Sequence, residues 1–239
     1  MFYKIKKDNP FNEIMDQIIS NIKNGNLKSG DPLPAERTLA ETFGASRPVV
    51  REVIKTLDFL GIITSVQGGA NYVSKDIEFS LIKPLSMLFD ITNCSPRQIQ
   101  ELRVMLECQA ARLAAKNSTP IECAKLNLLM EEVNSSTDMT EGEDKDFEFH
   151  LQIAKMTGNP LIYCVLAASV QVIEEIISET RKYMRENMYS VDTIKKEHLK
   201  IYEAIAGHDP DTAEKVMKKH LKIIDNYIDA LEKGTSSKK

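Results

Sequence analysis

Apolar residues recur every three or four positions along most of this chain, and a two-residue alternation shows only briefly. Phe11, Ile14, Met15, Ile18, Ile19 and Ile22 fall on one face of a helix that Asn24-Gly25 closes. The stretch GDPLP at 30–34 breaks the chain and leads into a second helix, 35–43, with proline at its entry. Gly44-Ala45-Ser46 then makes a tight turn. A third helix opens at SRPVVRE, where Val50, Val53, Ile54 and Leu57 share a core-facing edge. Helix, short glycine-containing turn, helix is the pattern of a helix-turn-helix. Two short apolar runs, 62–66 and 70–73, joined by Gln67-Gly68-Gly69, predict a β-hairpin behind it, the wing of a winged helix-turn-helix.

After Val73 the period is helical throughout, which predicts helices near 79–90, 96–116, 120–134, 142–157, 161–185, 191–206 and 210–232. Their short joints predict an antiparallel bundle. The acidic stretch 135–146 reads as a loop running into a helix start, and the terminal GTSSKK as disordered. The fold class is therefore mainly α: a winged helix-turn-helix over 1–76 and an all-helical bundle over 77–239.

Composition narrows the function. The longest apolar run, Leu161–Val170, is half of the roughly 20 residues a bilayer span needs, so no membrane partner is expected. MFYKIKKDNPF offers no apolar export signal, and Cys94, Cys108, Cys123 and Cys164 stand far apart without a C-x-x-C. Both features predict a cytoplasmic protein with reduced, packed thiols. Net charge is −4, with ten basic against nine acidic residues over 1–76 and 21 against 26 beyond. Affinity for nucleic acid would have to come from a few well-placed cations rather than a polybasic field.

Such cations exist. Arg47, Arg51 and Lys55 stand four apart on the third helix, which stacks them along one edge, away from its apolar edge. A solvated surface helix would also carry such an edge. The stretch LPAERTLAETFGASRPVVREVIKTLDFLGIITSVQGGANYV, however, resembles the DNA-binding domain of the GntR family of bacterial regulators over about forty consecutive positions. The resemblance implies that Arg37, Arg47 and Arg51 contact double-stranded DNA, where an arginine fork grips guanine or phosphate. Ser46 begins the third helix, as a phosphate contact or as a plain N-cap. Family wings commonly carry a cation at the tip; here Gly68-Gly69-Ala70-Asn71 carries none, which leaves backbone N–H groups of Gln67, Gly68 and Gly69 to touch phosphate. The resemblance further implies a homodimer on an inverted-repeat operator.

A second cluster lies in the bundle. Asp146 and His150 are four apart on one helix face. His198 lies ten residues before His208 and His220 twelve after it, on two helices joined at Gly207–Pro210. Equal distance from the turn of a helical hairpin means equal height, so His198 and His220 should stand side by side. His208, in the turn, is expected to be solvated. One carboxylate and three imidazoles make a transition-metal set, although lone histidines on helices are more often ordinary polar residues.

The segments DFEFHLQIAKMTGNPLI and EHLKIYEAI, with a histidine 22 residues beyond His198, resemble the FCD effector-binding domain of the FadR-like branch. That resemblance implies a divalent transition ion, zinc first with nickel or manganese as alternatives, on Asp146, His150, His198 and His220. A small carboxylate effector would complete its coordination. IQELRVMLECQAARLAA resembles the domain's first long helix, where Arg103 would either face that carboxylate or pair with Glu107 four residues on. Asn159 reads as a helix-break residue. The reading is a ligand-responsive transcription regulator, a repressor by family habit. Its alternatives are a metal-free acyl-CoA or organic-acid sensor of the same branch, or a metalloenzyme with an appended DNA-binding domain.

Overall fold

The computed structural model describes residues 2–4, 9–66, 69–75, 80–135, 139–169 and 191–236. They divide into two compact units, Met1–Pro84 and Leu85–Lys239. In the first, α1 (Pro10–Lys23), α2 (Glu36–Phe43) and α3 (Arg47–Phe59) precede a two-stranded antiparallel sheet, β1 (Ile63–Ser65) and β2 (Asn71–Val73). Register pairs Ile63 with Val73 and Ser65 with Asn71, and Pro32 bridges to Tyr72 beside them. Asn9 caps α1, its side chain accepting from the Asn12 N–H, and Pro10 takes the first-turn position where it forfeits no hydrogen bond. Gly44 ends α2 at φ 68°, a left-handed conformation that glycine adopts at no steric cost. The apolar edges of the three helices meet Ile63 and Val73 in one core of Ile14, Ile18, Leu39, Phe43, Val50, Val53 and Leu57. This is a winged helix-turn-helix.

The helix α4 (Ile82–Ile91) begins at the end of the first unit and continues into the second, whose other described helices are α5 (Pro96–Asn117), α6 (Pro120–Ser135), α7 (Met139–Met156), α8 (residues 160–169), α9 (Val191–Ala206) and α10 (Pro210–Ser236). The remainder of the helix expected over 161–185 lies outside the described residues. A capping box of Ser95 and Gln98 starts α5, and Asp209 accepts the Thr212 N–H to start α10. The small residues Ala110, Ala111, Ala114 and Ala115 allow α5 a close approach to α7, α9 and α10. Around that stripe pack Leu126, Met130, Phe149, Ile153, Ile201, Ile205, Met217 and Leu221.

Two boundaries differ from the sequence reading. The acidic stretch expected as a loop lies largely inside α7, which begins at Met139. Acidic residues suit a helix N-terminus, whose backbone dipole is positive, so polarity there marks a helix start as well as a loop. At the other end, α10 continues through Gly234 to Ser236 where a disordered tail was expected; one glycine costs a helix only about 1 kcal/mol.

Candidate metal centre and nucleic-acid interface

Each side chain of the histidine cluster sits on the core-facing side of its helix. Asp146, His150 and Ile153 share a face of α7; His198, Ile201 and Ile205 share one of α9; Ala213, Met217 and His220 share one of α10. Packing the three apolar faces together therefore gathers the polar residues into one buried place. Candidate ligand atoms of Asp146, His150, His198 and His220 all lie within 4.8 Å of one another. His198 and His220 stand side by side with ring centroids 4.7 Å apart, and His150 stacks on His220 at 5.1 Å. The Nε2 atom of His198 is 3.1 Å from Asp146 Oδ1, and those of His150 and His220 are 3.2 Å apart.

Two glutamates stand behind the imidazoles. Glu107 of α5 lies against Nδ1 of His150, and Glu197 of α9 faces Nδ1 of His220 at 3.6 Å, too long for a hydrogen bond. Arg103 donates from Nε to Glu107 at 2.8 Å and is itself 1 % exposed, while its Nη1 makes no hydrogen bond. Of the two expectations for Arg103, the ion pair with Glu107 is present. A fork aimed at an effector would be largely spent on it, and Nη1 remains. Neither glutamate was singled out in the sequence as a neighbour of a histidine. The four-residue spacing from Arg103 hinted at Glu107, whereas Glu197 gave no signal, because it faces His220 across a helix boundary.

The electrostatics of the cluster fit a cation. Asp146, Glu107 and Glu197 bring three carboxylates to the cluster, against the buried guanidinium of Arg103 and the exposed ammonium of Lys219, which reaches Glu197. Burial opposes charge on Glu107, but Arg103 and His150 beside it outweigh that and bring its carboxyl down to about 2. Burial likewise opposes charge on His150, yet Glu107 and Asp146 raise its pKa. At His220 burial wins and the value falls to about 4, so this imidazole is neutral at pH 7. A neutral imidazole can serve as a metal ligand, and a divalent ion would offset the remaining negative charge. The donor set of three nitrogens and a carboxylate suits zinc and also nickel or manganese.

His208 departs from its expected role. It occupies the α9–α10 turn at φ 53° and is exposed, but its Nδ1 lies 2.9 Å from the Ala115 carbonyl. Its ring therefore ties the hairpin turn to the end of α5 instead of standing free in solvent. Asn159 precedes α8 and accepts the Leu161 N–H, a capping contact.

In the other unit, Arg47 and Lys55 are exposed on α3 with no ion pair among the described residues. Arg51 donates from Nε to Glu36 of α2 at 3.1 Å, and Arg37 pairs with Glu41 at 3.0 Å on the surface. Ser46 is the N-cap residue of α3, yet its hydroxyl makes no capping hydrogen bond. Gln67 and Gly68, expected at the wing tip, lie outside the described residues.

A winged helix-turn-helix with exposed arginines, joined in one chain to a helical bundle with a buried polar centre, defines a DNA-binding regulator with a sensory domain. Comparison with known proteins agrees. Residues 10–73 match the bacterial regulatory proteins of the gntR family, and residues 98–222 match the FCD domain. The chain belongs to the GntR family and carries an FCD domain. It is 33 % identical to the HTH-type transcriptional regulator LutR of Bacillus subtilis over 87 % of this chain and 95 % of that protein. It is 30 % identical to a proposed regulatory protein of the L-lactate dehydrogenase operon in Escherichia coli, over 89 % and 83 %. A solved GntR structure from Streptococcus agalactiae superposes with a TM-score of 0.64 at 25 % identity, covering 89 % of this chain and 97 % of that one. The protein is a transcription regulator, not an enzyme, which removes the metalloenzyme alternative. No described helix is long and apolar enough to cross a membrane.

Proposed function

We propose that this regulator senses a small carboxylate through a divalent metal ion and binds an inverted-repeat operator as a homodimer in the cytoplasm. The observation that carries the reading is the converged set Asp146, His150, His198 and His220, buried with a surplus of negative charge. At an ion of coordination number five or six, four protein ligands leave room for an effector, and a carboxylate is a hard oxygen donor that Arg103 Nη1 could also meet. That one relative is named for an L-lactate dehydrogenase operon supports the same ligand class. When bound, the metal supplies an electrophilic centre for that oxygen donor. Asp146 and the three imidazoles would hold the ion.

On the DNA side, Arg37, Arg47 and Arg51 are the proposed contacts, with the uncommitted Ser46 hydroxyl at a helix N-terminus as a phosphate contact and the wing residues Gln67 and Gly68 as proposed backbone contacts. Two-fold protein symmetry requires a two-fold operator. For the dimer, α4 offers Met87, Leu88 and Ile91, all exposed in the single chain, the last at 72 %. Control is proposed as repression relieved by effector. Relatives at 28 % and 27 % identity are named a repressor and an activator, so a reporter assay in the absence of effector decides the sign.

The deciding experiment is elemental analysis of the purified protein. About one divalent transition ion per chain is expected, largely lost in His198→Ala and His220→Ala. Full metal content in both variants would place the ion elsewhere, and wild-type protein without metal would return the bundle to a metal-free organic-acid sensor. Sizing in solution and selection of bound DNA test the rest; a monomer on an asymmetric site would contradict the dimer.

A further inference from the structure

Glu107 is 1 % exposed and serves two neighbours at once. Its Oε1 accepts from Arg103 Nε and Nη2, both at 2.8 Å, while its Oε2 lies against Nδ1 of His150. On the far edge of that imidazole, Nε2 sits 3.2 Å from Nε2 of His220 and 4.0 Å from Asp146 Oδ2. A ring beside a carboxylate keeps its proton on the nitrogen facing it, which leaves Nε2 as a bare lone pair. Nε2 of His220 stands 3.2 Å from that lone pair, close enough to donate to it when no ion is present or to share one ion with it.

We propose that Glu107 is the positioning residue that fixes His150 as an Nε2 ligand and links it to Arg103. The assignment rests on the metal reading and adds regulation to it. Arg103 and His150 share one carboxylate, so a ligand that draws on Arg103 alters the hold on His150. Effector and metal then bind with linked affinities, each changing the other by the same factor. Glu197 is no equivalent, because it stands 3.6 Å from His220 Nδ1 and is also within reach of the exposed Lys219.

Glutamine at this position makes the proposal testable, since it has one oxygen where glutamate has two. A buried guanidinium cannot face an amide NH2, so Arg103 should claim the oxygen. The NH2 group then faces His150 Nδ1, which must accept, and the proton moves to Nε2, where it blocks ligation. Zinc affinity, measured against a competing chelator, should therefore fall at least tenfold in Glu107→Gln. In Arg103→Met/Glu107→Gln the amide can turn its oxygen to His150, so most of that affinity should return. A purely structural role predicts that the double variant is worse than the single one.

An unchanged affinity in Glu107→Gln, or a double variant weaker still, overturns the assignment while leaving the metal reading intact. Wild-type protein that binds no zinc overturns the metal reading itself. Should Glu107→Gln not fold, nitrogen NMR of zinc-loaded wild-type protein decides: His150 should show a protonated Nδ1 and a metal-bound Nε2, and the reverse assignment overturns the proposal.

Discussion

At the scale of single residues, exposure separates side chains that work on a partner from those that hold the fold. Arg47 and Arg51 are exposed, and substitutions of exposed residues usually change stability by no more than about 0.5 kcal/mol. A base or phosphate contact is worth more. Arg47→Ala and Arg51→Ala should each weaken operator binding by roughly 1–3 kcal/mol with little change in melting temperature. Titrating salt separates their jobs: loss of a phosphate contact lowers the salt slope by about one, whereas loss of a base contact relaxes sequence preference. Unchanged affinity in both variants would sink the proposed docking mode. His208 is the opposite case. Its hydrogen bond to Ala115 predicts that His208→Ala costs about 1 kcal/mol of stability and leaves metal content unchanged. A loss of metal in that variant would contradict the assignment of His198 and His220.

At the scale of elements, the sequence was most legible where the helical period ran long and the turn residues were strong. The Asn-Gly stop, the GDPLP break and the Gly-His-Asp-Pro joint all end or start helices where expected. That last joint made the equal height of His198 and His220 readable, because a short turn leaves little freedom in register. Polar residues at helix ends were less legible, since acidic stretches serve loops and helix starts alike, as α7 shows. The glutamates behind the histidines were hidden because cross-helix neighbours depend on packing, which no local pattern encodes. The joint also carries a pH signature. Hydrogen bonds from Thr212 hold the Asp209 carboxyl below its ordinary value, so the folded state prefers its ionised form. The stabilisation is present above the unfolded pKa of about 3.9 and disappears as pH falls through the lower folded one. Asp209→Ala should therefore melt lower than wild type at pH 7, and the gap should close below pH 4. A gap that persists in acid would mean that packing, not the capping carboxylate, is its source.

At the scale of the whole molecule, the two units keep separate cores. No residue of the Ile14–Val73 cluster belongs to the Cys108–Leu221 cluster, and all four candidate metal ligands belong to the second unit. A ligand that binds only the folded form of one unit stabilises that unit by mass action. At a free zinc concentration a hundredfold above Kd the gain is about 2.7 kcal/mol. In a unit of this size that should raise the melting temperature by roughly 5–10 °C. Scanning calorimetry should accordingly resolve two transitions. Zinc should raise the one belonging to the bundle, chelation should reverse the shift, and the winged-helix transition should stay in place. A small carboxylate added with zinc should raise the bundle transition further in wild type and not in His198→Ala, since the effect requires the ion. Operator DNA supplies the converse test, because its proposed contacts are the exposed arginines of the first unit, and it should raise that transition. If zinc and DNA each move both transitions equally, the two cores unfold as one cooperative block. The stability of either site is then a property of the entire chain.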